Sequence, residues 1–227
     1  MTKHNLLFQR DQLWRGTMLS TIAHALWTIS HPLLSYEVSW DGINYSRNNT
    51  QGTRGTITFH PDRIVAVFCD DDSPRAPWHL DGPYTLEPYA SSMPGDVRRL
   101  AEQEAFQYVV DDVDGWAISV VTAAFWSDGE ALTAGEPWAD VLAHGAHLVE
   151  TELMDMPEAL EDIRDGYEWS DAEIQLLQSI FTRRMEVATG PIYLEEWEWA
   201  AFIANGTEGL EESRALLAHI GIMLPHS

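Results

Sequence analysis

Trp14, Met18, Ile22, Leu26 and Ile29 recur at helical spacing through residues 5–29 and predict an N-terminal helix. Thr17, Thr21, His24 and Thr28 fall on another side of it, and Pro32 stops it because the residue before a proline avoids helical geometry. From Tyr36 to Cys69 the period shortens to two. Tyr36–Trp40, Ile43–Arg47, Thr53–Phe59 and Arg63–Cys69 read as four strands of an antiparallel meander. Asp41-Gly42 between the first two predicts a type I′ turn, which needs positive φ at both central residues. The last strand is apolar on both faces, with Val65, Val67 and Cys69 alternating with Ile64, Ala66 and Phe68, so it is expected inside the sheet with cover on both sides.

The pattern then breaks. Residues 70–94 carry Pro74, Pro77, Pro83, Pro88 and Pro94 and predict a long irregular connection. A helix is predicted from Pro94 to Tyr108, a turn at Asp111–Gly115, and one buried strand over Trp116–Trp126 as a fifth in the sheet. Beyond it the pattern is helical: 136–150, 156–164, 170–188 with Ser170 and Glu173 as a capping box, 192–204 and 207–220. The fold class is therefore α+β. A four- to five-strand meander (35–69 plus 116–126) packs with an N-terminal helix and a mostly helical, acidic C-terminal half. One domain over 1–227 is expected, with a possible subdivision into 1–69 and 95–227 joined by 70–94.

Charge changes the picture most. The 227 residues carry 36 acids against 13 Lys and Arg, a net of −23. Residues 1–68 have a net of +2 and residues 69–227 a net of −25, and residues 136–173 hold twelve acids and only Arg164. Such a field repels nucleic acid and anionic membranes and attracts basic partners. Solubility alone, or adaptation to salt, explains the same excess without a partner. Cys69 is the single cysteine, so no intramolecular disulfide forms. The N-terminus does not resemble a secretory signal and no apolar run approaches a membrane span, so the cytoplasm is the expected location.

Motifs for chemistry are sparse. Asp140, His144, His147 and Thr151 sit at i, i+4, i+7 and i+11 of the predicted 136–150 helix, and Asp140, His144 and His147 are the weak candidates for a divalent metal. No second cluster completes a shell, and a polar helix face explains them equally. Asp70–Asp72 closes a strand where carboxylates can hold Mg²⁺, but no Gly-rich phosphate loop accompanies it, which leaves a solvated acidic turn. Asp112, Asp114 and Gly115 begin like a calcium loop and lack its closing Glu. No nucleophile elbow is present, and Cys69 in an apolar strand is expected to be inert. No catalytic residue, metal or cofactor is therefore assigned.

Trp197 and Trp199 lie about 200° apart on their predicted helix. Trp199 is placed with Ile192 and Ile203 on the core side, and Trp197 is left for core or interface. The favoured reading is a non-catalytic acidic module that engages a basic protein, with an immunity or antitoxin protein against a cationic nuclease-type toxin as the concrete case. Its candidate contact residues are Trp138, Glu150, Glu152, Asp155, Glu158, Glu161, Asp162, Asp165, Glu168, Trp169 and Trp197. A metal-dependent hydrolase using Asp, Glu and His is the alternative, and a self-associating module with a homodimer face is the third.

Overall fold

The computed structural model describes residues 3–187 and 189–225. In chain order the elements are strand β1 (His4–Gln9), helix α1 (Arg10–Thr28), strands β2 (Val38–Asp41), β3 (Asn44–Asn48), β4 (Thr53–His60) and β5 (Arg63–Asp70), then helices α2 (Glu87–Ala90) and α3 (Gly95–Leu100). Strands β6 (Val110–Val113), β7 (Trp116–Ser119), β8 (Ala123–Ser127) and β9 (Ala131–Ala134) follow. Helices α4 (Trp138–Ala143), α5 (Glu150–Leu153), α6 (Met156–Tyr167) and α7 (Asp171–Glu186), strand β10 (Ile192–Tyr193), helices α8 (Glu196–Ile203) and α9 (Leu210–His219), and strand β11 (Ile222–Met223) complete it. The predicted 170–188 helix ends at Glu186, and residue 188 lies outside the described residues.

The fold is α+β. Seven strands form an antiparallel sheet in the order β1-β9-β8-β5-β4-β3-β2. The meander is present as expected, with β3 on β4 and β4 on β5 in continuous register from Thr53↔Asp70 to His60↔Arg63. The sheet is larger than the four to five strands predicted. Residues 4–9 begin it as β1, not the helix: Leu6 is 7% exposed and Leu7 96%, the alternation of a strand with one buried face. Trp116–Trp126 is two strands. β7 pairs with β6 in a separate hairpin and only β8 joins the sheet, on β5. Between them the backbone leaves strand geometry so that Val120 N–H reaches Val109 O at 2.8 Å and Thr122 N–H reaches Phe68 O at 2.8 Å.

Asp41-Gly42 and Asp114-Gly115, the two Asp-Gly pairs at hairpin tips with a positive-φ glycine, behave differently. At Asp41-Gly42 the turn residues are Gly42 and Ile43, and only Gly42 has positive φ (58°), the pattern of a II′ turn. At the tip of β6–β7, Asp114 (φ 55°) and Gly115 (φ 83°) both do, which is the I′ arrangement expected of the first pair.

The described chain clusters into two compact units, Met1–Asp11 with Asp41–Glu150, and Gln12–Trp40 with Thr151–Ser227. Residues 70–94 lie inside the first. There β5 is covered on both faces, as its pattern requires. Val65, Val67 and Cys69 pack with Val97, Leu100, Ala105 and Phe106. On the other side Phe68, Phe125, Trp138 and Phe8 form a chain of ring contacts at 5.8, 5.9 and 5.3 Å.

In the second unit α1 is buried around most of its circumference, and its Thr and His side is no exception. The polar atoms there are bonded internally. Thr21 Oγ1 donates to Thr17 O at 2.6 Å, Trp40 Nε1 donates to Thr21 Oγ1 at 3.0 Å, and His24 Nε2 lies 3.1 Å from Leu34 O. Helix α8 turns Glu198 and Phe202 inward, while Trp199 and Ile203 are half-buried, so the predicted Trp199 core side is displaced by one residue. Glu198 is fully buried and fully engaged: Ser179 Oγ and Glu195 N–H each donate to it at 2.8 Å, and Arg183 Nη1 donates to Oε2. A buried carboxylate is tolerated only with partners of this kind.

Candidate functional site

Helix α6 starts where Asp155 Oδ1 accepts from Glu158 N–H at 3.1 Å and ends where Glu168 takes a left-handed conformation (φ 56°). Ala159, Leu160 and Ile163 face the interior. That burial leaves Glu158, Glu161, Asp162 and Asp165 outside, at i, i+3, i+4 and i+7, in one stripe on the solvent face. Arg164, the one base in this stretch of sequence, points to Asp171 with Nη2 2.9 Å from Oδ1 and does not neutralise the stripe. Among the described residues Glu150, Glu158, Glu161, Asp165 and Glu168 are exposed and have no ion pair, and Asp162 accepts a hydrogen bond from Thr151 Oγ1.

Some acids elsewhere are paired. In the first unit Arg54 lies between Asp71 (3.2 Å) and Asp111 (2.6 Å), Arg63 meets Asp96 at 2.8 Å, and Arg98 takes Glu87 and Glu102 at 2.7 and 3.0 Å. By count the units are alike: 19 acids and eight bases in the first, 17 and five in the second. Other exposed acids, such as Asp72, Asp81, Asp114 and Glu130 of the first unit, also have no ion pair among the described residues; what distinguishes α6 is that four acids share one helical face.

The predicted contact residues fall into two groups. Glu150, Asp155, Glu158, Glu161, Asp162, Asp165 and Glu168 are at the surface, and Trp197 is 46% exposed. Glu152 has no exposed surface and Trp169 is 9% exposed against Tyr167, so neither is open to a partner. Trp138 is half-buried between Phe8 and Phe125. The spacing of acids was visible in sequence, but no sequence signal separates the buried Glu152 from its exposed neighbours.

The metal candidates do not converge. Helix α4 ends at Ala143, and Gly145 (φ 135°) redirects the chain, so Asp140, His144 and His147 share no helical face. Gly145 has no room for a side chain: a Cβ there would lie 2.8 Å from Phe68 Cβ. His147 is exposed with Nδ1 3.1 Å from Leu142 O. Among the described residues no group of three or more His, Cys, Asp and Glu is placed to hold a metal ion. The Asp70–Asp72 turn spreads its carboxylates. Asp70 Oδ1 accepts from Asp72 N–H at 3.1 Å while Asp71 pairs with Arg54. Asp112 Oδ1 accepts from Gly115 N–H at 2.8 Å and closes the β6–β7 hairpin. Cys69 is buried, and burial pushes its thiol up to about 12, so it supplies no thiolate.

One polar cluster was not visible in sequence. Ser73 Oγ lies 2.9 Å from His144 Nδ1, Arg75 N–H donates to Ser73 Oγ at 3.3 Å, and Thr122 Oγ1 lies 2.6 Å from His144 O. Burial, then the Arg75 charge, holds the His144 imidazole below its ordinary value. Ser73 is 2% exposed, so a substrate cannot reach its hydroxyl, and the pair ties the β5 end to the turn after α4. The 71 residues between Ser73 and His144 explain why no motif announced it.

No helix of the described chain is long and apolar enough to cross a membrane. No family model matches the sequence, and neither does any curated protein or solved structure.

Proposed function

We propose that this chain is a non-catalytic, cytoplasmic binding protein whose partner is a basic protein, and that the solvent face of α6 makes the contact. The observation that carries this reading is the unmatched stripe of Glu158, Glu161, Asp162 and Asp165, with Glu168 at the C-terminal end of the helix. Like charges three and four residues apart destabilise a helix by about 0.2–0.5 kcal/mol per pair. A cationic partner reverses that sign, because each carboxylate gains a counter-charge and the summed field speeds encounter. A nuclease-type toxin, basic because its own substrate is a polyanion, is the concrete partner class, with this chain as its immunity protein. Trp197 is the exposed aromatic in the proposed contact set.

The test compares two variants of equal charge. One carries Glu158→Gln, Glu161→Gln, Asp162→Asn and Asp165→Asn. The control carries Asp72→Asn, Asp81→Asn, Asp114→Asn and Glu130→Gln, four exposed positions of the first unit. A basic protein captured from native lysate by the wild type and the control, released by salt, and not captured by the α6 variant is the expected result. Equal capture by both variants reduces the stripe to a solubility feature.

A further inference from the structure

The second unit contains an open groove of about 250 Å³ between the β2 segment and α9. The alternation of β2 turns Val38 (2% exposed) and Trp40 (9%) inward and leaves Ser39 outside. Facing them, α9 places Glu212, Leu216 and His219 at i, i+4 and i+7, on one side of the helix. The groove thus has apolar walls and a carboxylate at its rim.

Its chemistry is one-sided. Among the described residues no Lys or Arg lines it. Glu212 is exposed and has no ion pair among the described residues, while Arg214 on the same helix is drawn to Glu211 at 3.7 Å. Trp40 is held in place before any ligand arrives. Its indole N–H donates to Thr21 Oγ1 at 3.0 Å, and its ring meets Trp14 edge-on at 5.9 Å. It therefore offers the groove carbon surface in a fixed orientation and spends no donor on a ligand. A fixed aromatic wall beside an unpaired carboxylate suits a cation carried on an apolar stem. The volume falls below the roughly 300–1,000 Å³ of small-molecule sites and is of the size of one long side chain.

We infer that this groove receives an arginine side chain of the basic partner, with the methylenes against the accessible edges of Trp40 and Leu216 and the guanidinium at Glu212. The inference rests on the proposed reading for the identity of the partner, and it adds an anchor to an otherwise diffuse charge interaction. The net charge of the second unit, 17 acids to five bases, favours the cation over any anionic or neutral occupant.

The test needs no partner. N-acetyl-L-arginine methyl ester is titrated into the full chain and followed by amide and indole NMR, with the uncharged citrulline analogue as its match. The expected result is a saturable shift confined to residues 35–40 and 212–219 with the arginine probe alone. Glu212→Gln should weaken it about threefold to fivefold, the size of one partly exposed ion pair. Ser39→Trp, at an exposed strand position, should abolish it by filling the groove. Equal shifts from both probes, non-saturating shifts spread over acidic residues, or indifference to both substitutions would overturn the inference. Failure here leaves lysate capture through α6 untouched, and failure of that capture leaves this titration standing.

Discussion

Arg75 holds Glu136 through two parallel hydrogen bonds, Nη1 to Oε1 at 2.7 Å and Nη2 to Oε2 at 2.6 Å, and the same Nη1 also donates to Thr122 O at 3.0 Å. The guanidinium lies over the Tyr89 ring at 5.7 Å. The arrangement uses the planar fork, which an ammonium cannot reproduce. Arg75→Lys is therefore expected to lose most of what Arg75→Ala loses, about 1–3 kcal/mol from the urea midpoint. Both side chains keep some solvent contact, 21% and 25%, which places the loss toward the lower end. An Arg75→Lys protein as stable as the wild type would show that the fork is not what matters.

Arg183 and Glu198 make the opposite case, a pair whose acid has no exposed surface. Removing only the base strands a buried carboxylate. Arg183→Ala is thus predicted to cost about 3–5 kcal/mol, and Glu198→Gln less, because the amide still meets Ser179. Arg183→Met combined with Glu198→Leu should recover most of the loss. A double-mutant cycle of Arg183→Met, Glu198→Leu and their combination in urea reads the coupling, and simple additivity of those two single changes would contradict it.

Where local chemistry decided the outcome, the sequence was legible. The period-two runs and Asn/Gly turns of β3, β4 and β5 appear as read, and β5 is covered on both faces as its apolar pattern demands. The Ser170 and Glu173 box starts α7 as expected. Failures came where tertiary contacts overrode a local pattern. Residues 5–9 of β1 were absorbed into the strong helical period that follows them, although Leu6 and Leu7 already alternate. The β-formers of 116–126 do not form one strand, because Thr122 bonds Phe68 O. A helical wheel through Asp140, His144 and His147 cannot see that Gly145 must pass against Phe68. The acids of α6 were legible as residues and spacing. That Arg164 is committed to Asp171, and that Glu152 is buried, became visible only in three dimensions.

Cys69 and Tyr108 give an alkaline signature. Burial pushes both up to about 12, the phenol with help from its 2.7 Å bond to Asp41 Oδ2. The folded chain holds these protons more tightly than the unfolded chain, whose thiol titrates near about 8.5 and phenol near about 10. Their contribution is therefore complete below about pH 8.5 and is lost as pH rises toward 12. The urea midpoint should fall across that window, and Cys69→Ala should flatten the first part of the fall while lowering stability at neutral pH. At pH 8 a disulfide reagent should label Cys69 only when urea is present. Rapid labelling of the native chain would place the thiol at the surface.

Neutralising α6 should stabilise the free protein. Glu161 has like-charged neighbours at Glu158 and Asp165, and Asp165 also sits in the last turns, where the helix dipole disfavours an anion. Glu161→Gln with Asp165→Asn is predicted to add about 0.5–1 kcal/mol, or about 1–4 °C in Tm for a chain of this length. The gain should be largest near 20 mM salt and shrink at 0.5 M, where the Debye length has fallen to a few ångström. Asp162 is left out because its carboxylate already accepts from Thr151. A double variant that is more stable alone and weaker in capturing its basic partner separates a retained contact surface from a coat kept for solubility, since a solubility coat loses nothing in binding. A double variant that is less stable at low salt would mean that these carboxylates serve the folded state, and the stripe would no longer support a partner.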